Sequence, residues 1–461
     1  MLHPISLVVL LAGTFVNMTG IFAQALSRNT ERNIDQVVEQ RLPAIAPGGV
    51  VLLAKGDRVI YHKAFGYEDS AAKIKMDKDG IFRIGSITKP FTALSILLLA
   101  KDGRIRLQDT IQQYIPDFPV KQYPVTIEHL LTHSSGIRNY FEIENPGKKK
   151  DHYAPREGIA YFQDVPLEFE PGSRYQYSNS NYYLLGYIIE RVSSMSYPEF
   201  LQKNIFARLQ MQHTYYGSVT NPADHLVKGY TRYNGKMEEA VPEEITSLYA
   251  AGGLLSNATD LLRWHKALFN GALIDKELLH IATQPYLLKN GTPGEYGYGW
   301  FPSTIDSTQT IEHSGSTDGY QSDLVYIPGE DLRIITLFNC YEPDRDWLIL
   351  TNDIARLAMG KPLNTSILLP KEILQQYTGV YKHNEEWQMI FSMKGNDLYV
   401  RCPRAGIPDI RLYATKENFF YTRETPIKFE LLKQPDGGML LVTYNNSGKD
   451  AEWKRVEGSQ K

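Results

Sequence analysis

The sequence contains a serine and a lysine at a spacing that could support nucleophilic catalysis. Ser86 and Lys89 are three residues apart, directly before a long apolar run at residues 91–100. This spacing on a helix places two side chains on one face, so the lysine amine could take a proton from the serine hydroxyl. Burial against an apolar helix would lower the pKa of the amine and leave it neutral enough to act. The alternative for Ser86 taken alone is a helix cap.

A serine and a lysine three residues apart also occur by chance in a chain of this length. Ser70 and Lys73 form such a second pair. That pair lies in a charged stretch without an apolar helix behind it, which is typical of a solvated surface. We therefore expect the chemistry at Ser86 and not at Ser70.

Tyr177 and Asn179 form a second set of polar side chains, in a loop that leads into an apolar helix near residues 181–189. A phenol can shuttle a proton, and an amide can orient both an amine and a substrate carbonyl group. The pair could therefore share one cleft with Ser86. The alternative is ordinary turn chemistry from the Ser178 and Asn179 side chains.

A third polar segment, residues 313–316, lies in a predicted strand that continues into a hairpin. His313 and Ser314 could line a cleft, and Gly315 would allow close approach of another backbone. The backbone N–H group of Ser316 could then stabilise developing negative charge on a substrate oxygen. The alternative is a histidine at a strand end without a ligand.

The composition excludes several other classes of protein. The chain has 461 residues, of which 43% are hydrophobic and 22% charged, so a packed core is expected and global disorder is excluded. A net charge of −3 predicts no nucleic-acid partner. The two cysteines, Cys340 and Cys402, exclude a disulfide scaffold and a cysteine-rich metal site. The sequence motifs of lipases of the α/β-hydrolase type and of zinc proteases are absent.

In this order, the three motifs resemble those of the serine β-lactamase and penicillin-binding-protein superfamily, in which Ser-x-x-Lys carries the nucleophile. The class C-like branch is the more similar one, because Tyr-x-Asn comes second there and a Lys-Thr-Gly or His-x-Gly strand comes third. Further stretches at residues 130–137, 251–256 and 296–300 also match this branch. The similarity covers about residues 30–355.

The resemblance implies an α+β fold, in which an antiparallel sheet is flanked by helices and carries a mostly helical subdomain. It implies that Ser86 is acylated and that Lys89 and Tyr177 share the general acid and base work. It implies no metal and no organic cofactor. The substrate-binding residues that it implies are Asn179, His313, Ser314, Gly315 and Ser316.

One departure from the family pattern concerns the substrate. A lysine in the third motif would provide a fixed positive charge for a substrate carboxylate, whereas His313 is expected to be mostly neutral at pH 7. The resemblance therefore favours a peptidase or amidase acting on small molecules or on D-amino-acid-containing, cell-wall-like peptides such as peptidoglycan fragments. The alternatives are a carboxylesterase or weak β-lactamase of the same family and, from another class, a non-catalytic relative that binds peptidoglycan or a protein.

The N-terminal segment resembles an export signal. Residues 5–22 are apolar, and the triplet Ala23-Gln24-Ala25 predicts cleavage after Ala25, so that residues 1–25 are a signal peptide and the protein is periplasmic or secreted. The alternative is an uncleaved N-terminal membrane anchor. No later segment is long and apolar enough to span a membrane.

The remaining chain is predicted to form two domains. Residues 26–360 would be the hydrolase domain, and the polar, proline-containing residues 361–370 would be a linker. Residues 371–461 contain short alternating runs separated by Gly, Asp and Asn turns, which predicts antiparallel hairpins. We expect a small β-barrel there, and it resembles the lipocalin-like domains that some of these hydrolases carry.

Overall fold

The structure is a computed structural model. It describes residues 25–42, 47–143, 154–218, 220–221, 224–233, 236–241, 243–341, 348–363, 367–405, 407–422, 427–445 and 448–456. Apart from Ala25, the predicted signal peptide and its alternative as a membrane anchor lie outside these ranges. No helix within the ranges is both long and apolar enough to cross a membrane.

Helices and strands are intermixed along the first three quarters of the chain, and strands dominate the last quarter. The described helices are α1 (Arg28–Arg41), α2 (Thr88–Lys101), α3 (Ile127–Leu131), α4 (Pro155–Ala160), α5 (Asn179–Ser193), α6 (Tyr197–Leu201), α7 (Ala207–Leu209), α8 (Ile245–Gly252), α9 (Ala258–Phe269), α10 (Lys276–Ala282), α11 (Leu348–Ala358) and α12 (Lys371–Gln375). The described strands are β1 (Gly49–Lys55), β2 (Arg58–Phe65), β3 (Tyr67–Asp69), β4 (Ile74–Lys75), β5 (Phe82–Arg83), β6 (Tyr215–Tyr216), β7 (Tyr230–Tyr233), β8 (Lys236–Glu239), β9 (Leu254–Ser256), β10 (Phe301–Ile305), β11 (Thr308–Thr317), β12 (Tyr320–Ile327), β13 (Leu332–Phe338), β14 (Cys340–Tyr341), β15 (Gly379–Lys382), β16 (Gln388–Lys394), β17 (Asp397–Cys402), β18 (Ile407–Arg411), β19 (Tyr413–Lys416), β20 (Phe419–Tyr421), β21 (Lys428–Lys433), β22 (Met439–Asn445) and β23 (Gly448–Arg455).

The central sheet has six strands in the order β10-β11-β12-β13-β1-β2, and all neighbouring strands are antiparallel. Strand β1 is apolar along most of its length because both faces of the sheet are covered. Val51 and Leu53 belong to the core formed with α1 and α11, whereas Val50 and Leu52 belong to the core shared with the helical subdomain. The predicted antiparallel sheet flanked by helices is confirmed.

Helix α2 is the buried helix that the apolar run predicted. It contacts α5 and α8, and the Phe91 ring stacks on Trp264 of α9 with 3.9 Å between the ring centroids. Pro90 lies in the first turn, and Gly103 follows the helix with a φ angle of 70°, a left-handed conformation that glycine adopts without strain. Because α2 is enclosed on nearly all sides, it is a rigid support for the residues at its N-terminal end.

The C-terminal part forms a nearly closed barrel-like sheet of nine strands, in the order β18-β17-β16-β15-β23-β22-β21-β20-β19. The edge strands β18 and β19 are joined by the single residue Leu412, which brings the two edges together. This agrees with the predicted small β-barrel. Apolar side chains such as Tyr381, Phe420 and Leu441 fill the interior, and a cavity there measures about 10 Å³. Such a volume holds about one water molecule, so the barrel is packed at this point and is not a ligand chamber.

Asp306, in the turn between β10 and β11, connects three parts of the fold. Its carboxylate accepts hydrogen bonds from the Arg356 Nε and Nη2 atoms of α11 at 2.6 and 3.0 Å. The Lys428 Nζ atom of the barrel lies 3.9 Å from the same carboxylate. The hydrogen bonds from Arg356 are the main cause that lowers the pKa of Asp306 below its usual 3.8. Asp306 therefore stabilises the fold as an anion.

We predict that Asp306→Asn lowers the free energy of unfolding by about 1 kcal/mol at neutral pH. Asparagine tolerates the φ angle of 48° at this position, so the variant removes charge and preserves the backbone. Because the pKa is depressed in the folded state, the contribution is present above pH 3.8 and is lost as the pH falls through the folded pKa. Urea unfolding at neutral pH and near pH 3 measures this difference. An equal loss at both pH values, or an equal loss in the exposed Asp102→Asn control, would contradict the prediction.

Candidate active site

Ser86 lies in the 3₁₀ turn Gly85–Ile87, which leads directly into α2. The Lys89 Nζ atom lies 3.0 Å from the Ser86 Oγ atom, as the three-residue spacing predicts. Neither the 3₁₀ turn nor α2 has a side-chain cap. The alternative interpretation of Ser86 as a helix cap is therefore wrong, and its half-buried hydroxyl is available to Lys89.

Lys89 is fully buried, and three oxygen atoms surround its amine. Besides Ser86 Oγ, these are Asn179 Oδ1 at 2.8 Å and the carbonyl oxygen of Ala251 at 2.8 Å. Burial lowers the pKa of Lys89 well below 10.5, which favours the neutral amine. A neutral amine has two N–H donors and one lone pair. If two N–H groups are donated to the two carbonyl oxygens, a neutral amine would present its lone pair to the Ser86 hydroxyl, whereas a charged amine would donate its third N–H group to Ser86 Oγ.

His133 holds the loop that carries Tyr177. Its ring centroid lies 4.2 Å from that of Tyr177, and its Nδ1 atom accepts the backbone N–H of Ser178 at 3.2 Å. Burial lowers the pKa of His133, so this histidine is neutral and carries its proton on Nε2. Burial also raises the pKa of the Tyr177 phenol, and its interaction with the Ser86 hydroxyl opposes part of this rise. Tyr177 is therefore a protonated phenol beside the serine.

Asn179 is the first residue of α5, and its side chain has a fixed orientation. The backbone N–H and the Nδ2 atom both donate to Asn139 Oδ1, at 3.2 and 3.4 Å. This leaves Asn179 Oδ1 directed toward the Lys89 amine. Ser178, the residue before the helix, makes no side-chain cap. The pair at positions 177 and 179 thus faces Lys89 as the sequence predicted, whereas the contribution of Asn139 had no sequence signal.

Gly315 and Gly85 let strand β11 lie against the 3₁₀ turn of Ser86. A methyl group on Gly315 would lie 2.1 Å from the carbonyl oxygen of Ile84 and 2.8 Å from the backbone nitrogen of Ser86. A methyl group on Gly85 would lie 2.7 Å from the backbone nitrogen of Ser316. The close approach that Gly315 was expected to allow is therefore present. It brings the backbone nitrogens of Ser86 and Ser316 to the same place, where β11 meets the 3₁₀ turn.

His313 lies in the wall behind this contact, with both ring nitrogens engaged. Nδ1 lies 2.6 Å from the carbonyl oxygen of Ser314 and so carries the proton, whereas Nε2 accepts from the Tyr296 hydroxyl at 2.7 Å. Burial, with a smaller effect from Lys89, lowers the pKa of His313 to about 3. The expectation of a neutral residue in place of the family lysine therefore agrees with the environment of His313.

A cleft of about 280 Å³ opens beside Ser86. The predicted site residues that line it are Ser86, Tyr177, Asn179 and Ser316. Four others lie outside its lining, namely Lys89, His313, Ser314 and Gly315. The lining residues that sequence reasoning missed are Tyr140, Phe141, Glu243, Leu248, Ala251, Gly252, Thr317, Asp318 and Tyr341. The family-like stretch at residues 251–256 was the one signal for any of them. A larger groove, of about 710 Å³, lies beside α6 and β6, and none of the predicted site residues lines it.

Tyr249 interrupts α8 and aims two carbonyl groups at α2. Its φ and ψ angles are 42° and −130°, a strained conformation for a residue other than glycine. Directly after it, the carbonyl oxygen of Ala250 accepts from the Thr92 hydroxyl at 2.7 Å, and that of Ala251 accepts from Lys89. The kink therefore supplies one of the acceptors that hold the lysine amine.

Comparison with known proteins agrees with this geometry. The family model described as beta-lactamase matches residues 31–358. Penicillin-binding protein 4* of Bacillus subtilis (strain 168) is 26% identical over 426 residues, which are 87% of this chain and 94% of that protein. The octameric penicillin-binding protein homologue from Pyrococcus abyssi superimposes with a TM-score of 0.65 at 27% identity, covering 93% of this chain and 99% of that one. D-amino acid amidase from Ochrobactrum anthropi SV3, solved with D-phenylalanine, has the same fold, with a TM-score of 0.62 at 23% identity over 72% and 98% of the chains.

The fold and the relatives define a serine hydrolase that is related to penicillin-binding proteins. The chain belongs to the beta-lactamase family, as the three motifs indicated.

We predict that Gly315→Ala lowers the rate of Ser86 acylation by about 100-fold, because the added methyl group forces β11 away from the Ser86 turn. Overpacking should also lower the free energy of unfolding by about 1–3 kcal/mol. Labelling by a fluorophosphonate probe measures the rate, and urea unfolding measures the stability.

Gly329→Ala is the matched control, because Gly329 belongs to the same sheet region and a methyl group there meets no atom within 4 Å. It should label at the wild-type rate. If Gly315→Ala labels as fast as this control, the contact between β11 and the Ser86 turn does not matter for the chemistry.

Proposed function

We propose that the protein is an exported serine hydrolase that works through an acyl-enzyme on Ser86. The most favoured substrates are amides and peptides that contain D-amino acids or resemble cell-wall peptides. The observation that carries this proposal is the fully buried Lys89 amine, which lies 3.0 Å from Ser86 Oγ and whose pKa burial lowers toward the neutral, basic form. A binding protein would gain nothing from burying a lysine beside a serine, because such burial is costly. The non-catalytic alternative is therefore disfavoured.

The proposed reaction begins when Ser86 Oγ attacks the substrate carbonyl carbon while its proton moves to Lys89. The C–O bond to the serine forms, and the carbonyl electrons move onto the substrate oxygen. When this tetrahedral intermediate collapses, the C–N bond breaks and the leaving amine takes a proton delivered by Lys89 through the Tyr177 hydroxyl. Water then attacks the acyl-enzyme by the reverse sequence and releases the acid, with the proton returning to Ser86.

Two backbone N–H groups are proposed to stabilise the negative oxygen of the intermediate. Ser86 contributes one from the 3₁₀ turn, and Ser316 contributes the other from β11. The close packing at Gly85 and Gly315 supports this role. It brings the backbone nitrogen of Ser86 close to Gly315 and that of Ser316 close to Gly85. Asn179 would keep Lys89 in place and bind substrate, while Ser314 and Gly315 would form the strand edge that the substrate follows.

The substrate class is inferred from His313 and from the relatives. A neutral histidine in the third motif provides no fixed positive charge for a substrate carboxylate, which disfavours an efficient β-lactamase. The Bacillus subtilis relative is named for binding penicillin, and the Ochrobactrum anthropi relative is named as a D-amino acid amidase. An esterase would use the same residues, because an ester differs only in its better leaving group.

The division of the chain and its location are part of the proposal. Residues 26–360 would form the hydrolase domain, supported by the family match at residues 31–358 and by the end of α11 at Ala358. Residues 361–370 would be the linker and 371–461 the barrel domain. The apolar residues 5–22 support export to the periplasm or beyond. N-terminal sequencing of the protein from its host should begin at Leu26, and a sequence beginning at Met1 would favour the membrane anchor.

The central test is covalent labelling. We predict that a fluorophosphonate adds one probe mass to the wild type and none to Ser86→Ala. Lys89→Met, which keeps the volume but removes the base, should lower the labelling rate by about 10³-fold or more. Intact-mass spectrometry over time measures both effects.

The chain contains its own control, because Ser70 and Lys73 repeat the spacing and neither residue lines the cleft beside Ser86. Ser70→Ala and Lys73→Met should label at the wild-type rate. An adduct that persists in Ser86→Ala would show that another residue is the nucleophile. A wild type that is not labelled would refute the proposed serine hydrolase activity.

The pH dependence tests the protonation state of Lys89. We predict that kcat/KM for a neutral amide rises with pH as free Lys89 loses its proton, and reaches its plateau well below pH 10.5, because burial depresses this pKa. Tyr177 should remain protonated across the plateau, since its pKa is raised. Stopped assays of N-acetyl-D-alanine p-nitroanilide measure the profile. A rising limb centred near the ordinary lysine pKa would contradict the proposed base.

A further inference from the structure

Among the described residues, the lining of the cleft beside Ser86 includes acidic side chains but no basic ones. Glu243 and Asp318 are the charged residues among those that line it. The nearest basic side chain below the serine, Lys89, lies outside the lining and has a strongly lowered pKa, and His313 behind the wall is neutral. The described residues that line the cleft therefore carry a net negative charge.

Glu243 has a cation close to it. Arg83 is largely buried, and its Nη1 atom donates to the carbonyl oxygen of Glu243 at 2.7 Å. The electrostatic interactions of this guanidinium are with Glu243, Glu244 and Tyr320. Arg83 therefore compensates the charge of Glu243 from inside the protein.

Asp318 has no such compensation. It is half-buried in the turn between β11 and β12. Within the part of the chain that the structure describes, no hydrogen bond or ion pair engages its side chain. A partly desolvated carboxylate without a partner is unfavourable, and a concave site concentrates its potential on whatever enters. The missing cation is best supplied by the substrate.

We propose that Asp318 makes the cleft selective for acyl donors that carry an ammonium group and no free carboxylate. Asp318 follows Ser316 by two residues, in the turn after β11, and lines the same cleft as Ser86 and Ser316. Its carboxylate can therefore meet a cation that lies a few bonds from the reacting carbonyl carbon. This specificity rests on the proposed function, because it assumes that acylation occurs at Ser86.

Four p-nitroanilides test the selectivity with one leaving group. D-alanine p-nitroanilide carries an α-ammonium group, N-acetyl-D-lysine p-nitroanilide carries a side-chain ammonium group, N-acetyl-D-alanine p-nitroanilide is neutral and N-succinyl-D-alanine p-nitroanilide is anionic. We expect kcat/KM to be about tenfold or more higher for at least one cationic donor than for the neutral donor, and lowest for the anionic one. The better of the two cationic donors identifies which amine is bound. The preference should weaken as salt is added.

Asp318→Asn is the decisive variant, because it removes the charge and keeps the shape. The ratio of kcat/KM between the cationic and the neutral donor should fall to near one. Asp102→Asn is the matched control, since it removes an equal charge from the exposed far end of α2, about 20 Å from Ser86 along the helix. This control should keep the wild-type ratio.

Two results separate this inference from the proposed function. If Ser86 is acylated but the donors do not differ, or if Asp318→Asn keeps the wild-type ratio, then the charge selectivity is wrong and the hydrolase remains. If no donor is turned over, the selectivity can still be tested by binding. Calorimetry would then compare the affinities of D-alaninamide and N-succinyl-D-alaninamide for Ser86→Ala. Tighter binding of the cation, lost in Ser86→Ala with Asp318→Asn, supports the selectivity, and equal binding overturns it.

Discussion

The structure depends on one constraint, which is that a lysine amine with a lowered pKa must remain buried and in contact with a serine hydroxyl. Water would restore the charge of Lys89, so the amine must be enclosed. Enclosure alone would leave its N–H groups without partners, so two acceptors must be built around it. Asn179 Oδ1 and the carbonyl oxygen of Ala251 meet that need, and their positions leave one direction free for Ser86.

Each main element near the cleft serves this arrangement. The 3₁₀ turn positions Ser86, the first turn of α2 positions Lys89, and the apolar surface of α2 keeps water away. Helix α5 begins at Asn179 and so presents the amide from one side, while α8 presents the carbonyl oxygen of Ala251 from the other. Strand β11 closes the remaining side through Gly315. The sheet and the helical subdomain thus meet around Lys89, so a small displacement of either would change the contacts of its amine.

Local features could be predicted from the sequence, and features produced by tertiary packing could not. The contact between Ser86 and Lys89 follows from helix spacing, and the barrel follows from alternating runs with Gly and Asp turns. Nothing near Tyr249 in sequence indicates that its backbone adopts a φ angle of 42°. Glu243 was invisible as a cleft residue, because a loop far in sequence from all three motifs brings it beside Ser86, whereas Asp318 lies only two residues after the third motif. The roles of His313 and Ser314 in substrate binding stay predictions, since neither residue lines the cleft.

The strained backbone of Tyr249 lowers the free energy of unfolding but keeps the carbonyl oxygen of Ala251 at the Lys89 amine. A non-glycine residue in this conformation costs about 1–3 kcal/mol, a sizeable fraction of the net stability of a folded domain. Relaxing it to a regular helix would recover that free energy but would turn the carbonyl oxygen of Ala251 away from Lys89. Selection for heat resistance alone would therefore favour an unstrained backbone at position 249, and under the proposed role of Lys89 only selection for activity would retain the kink.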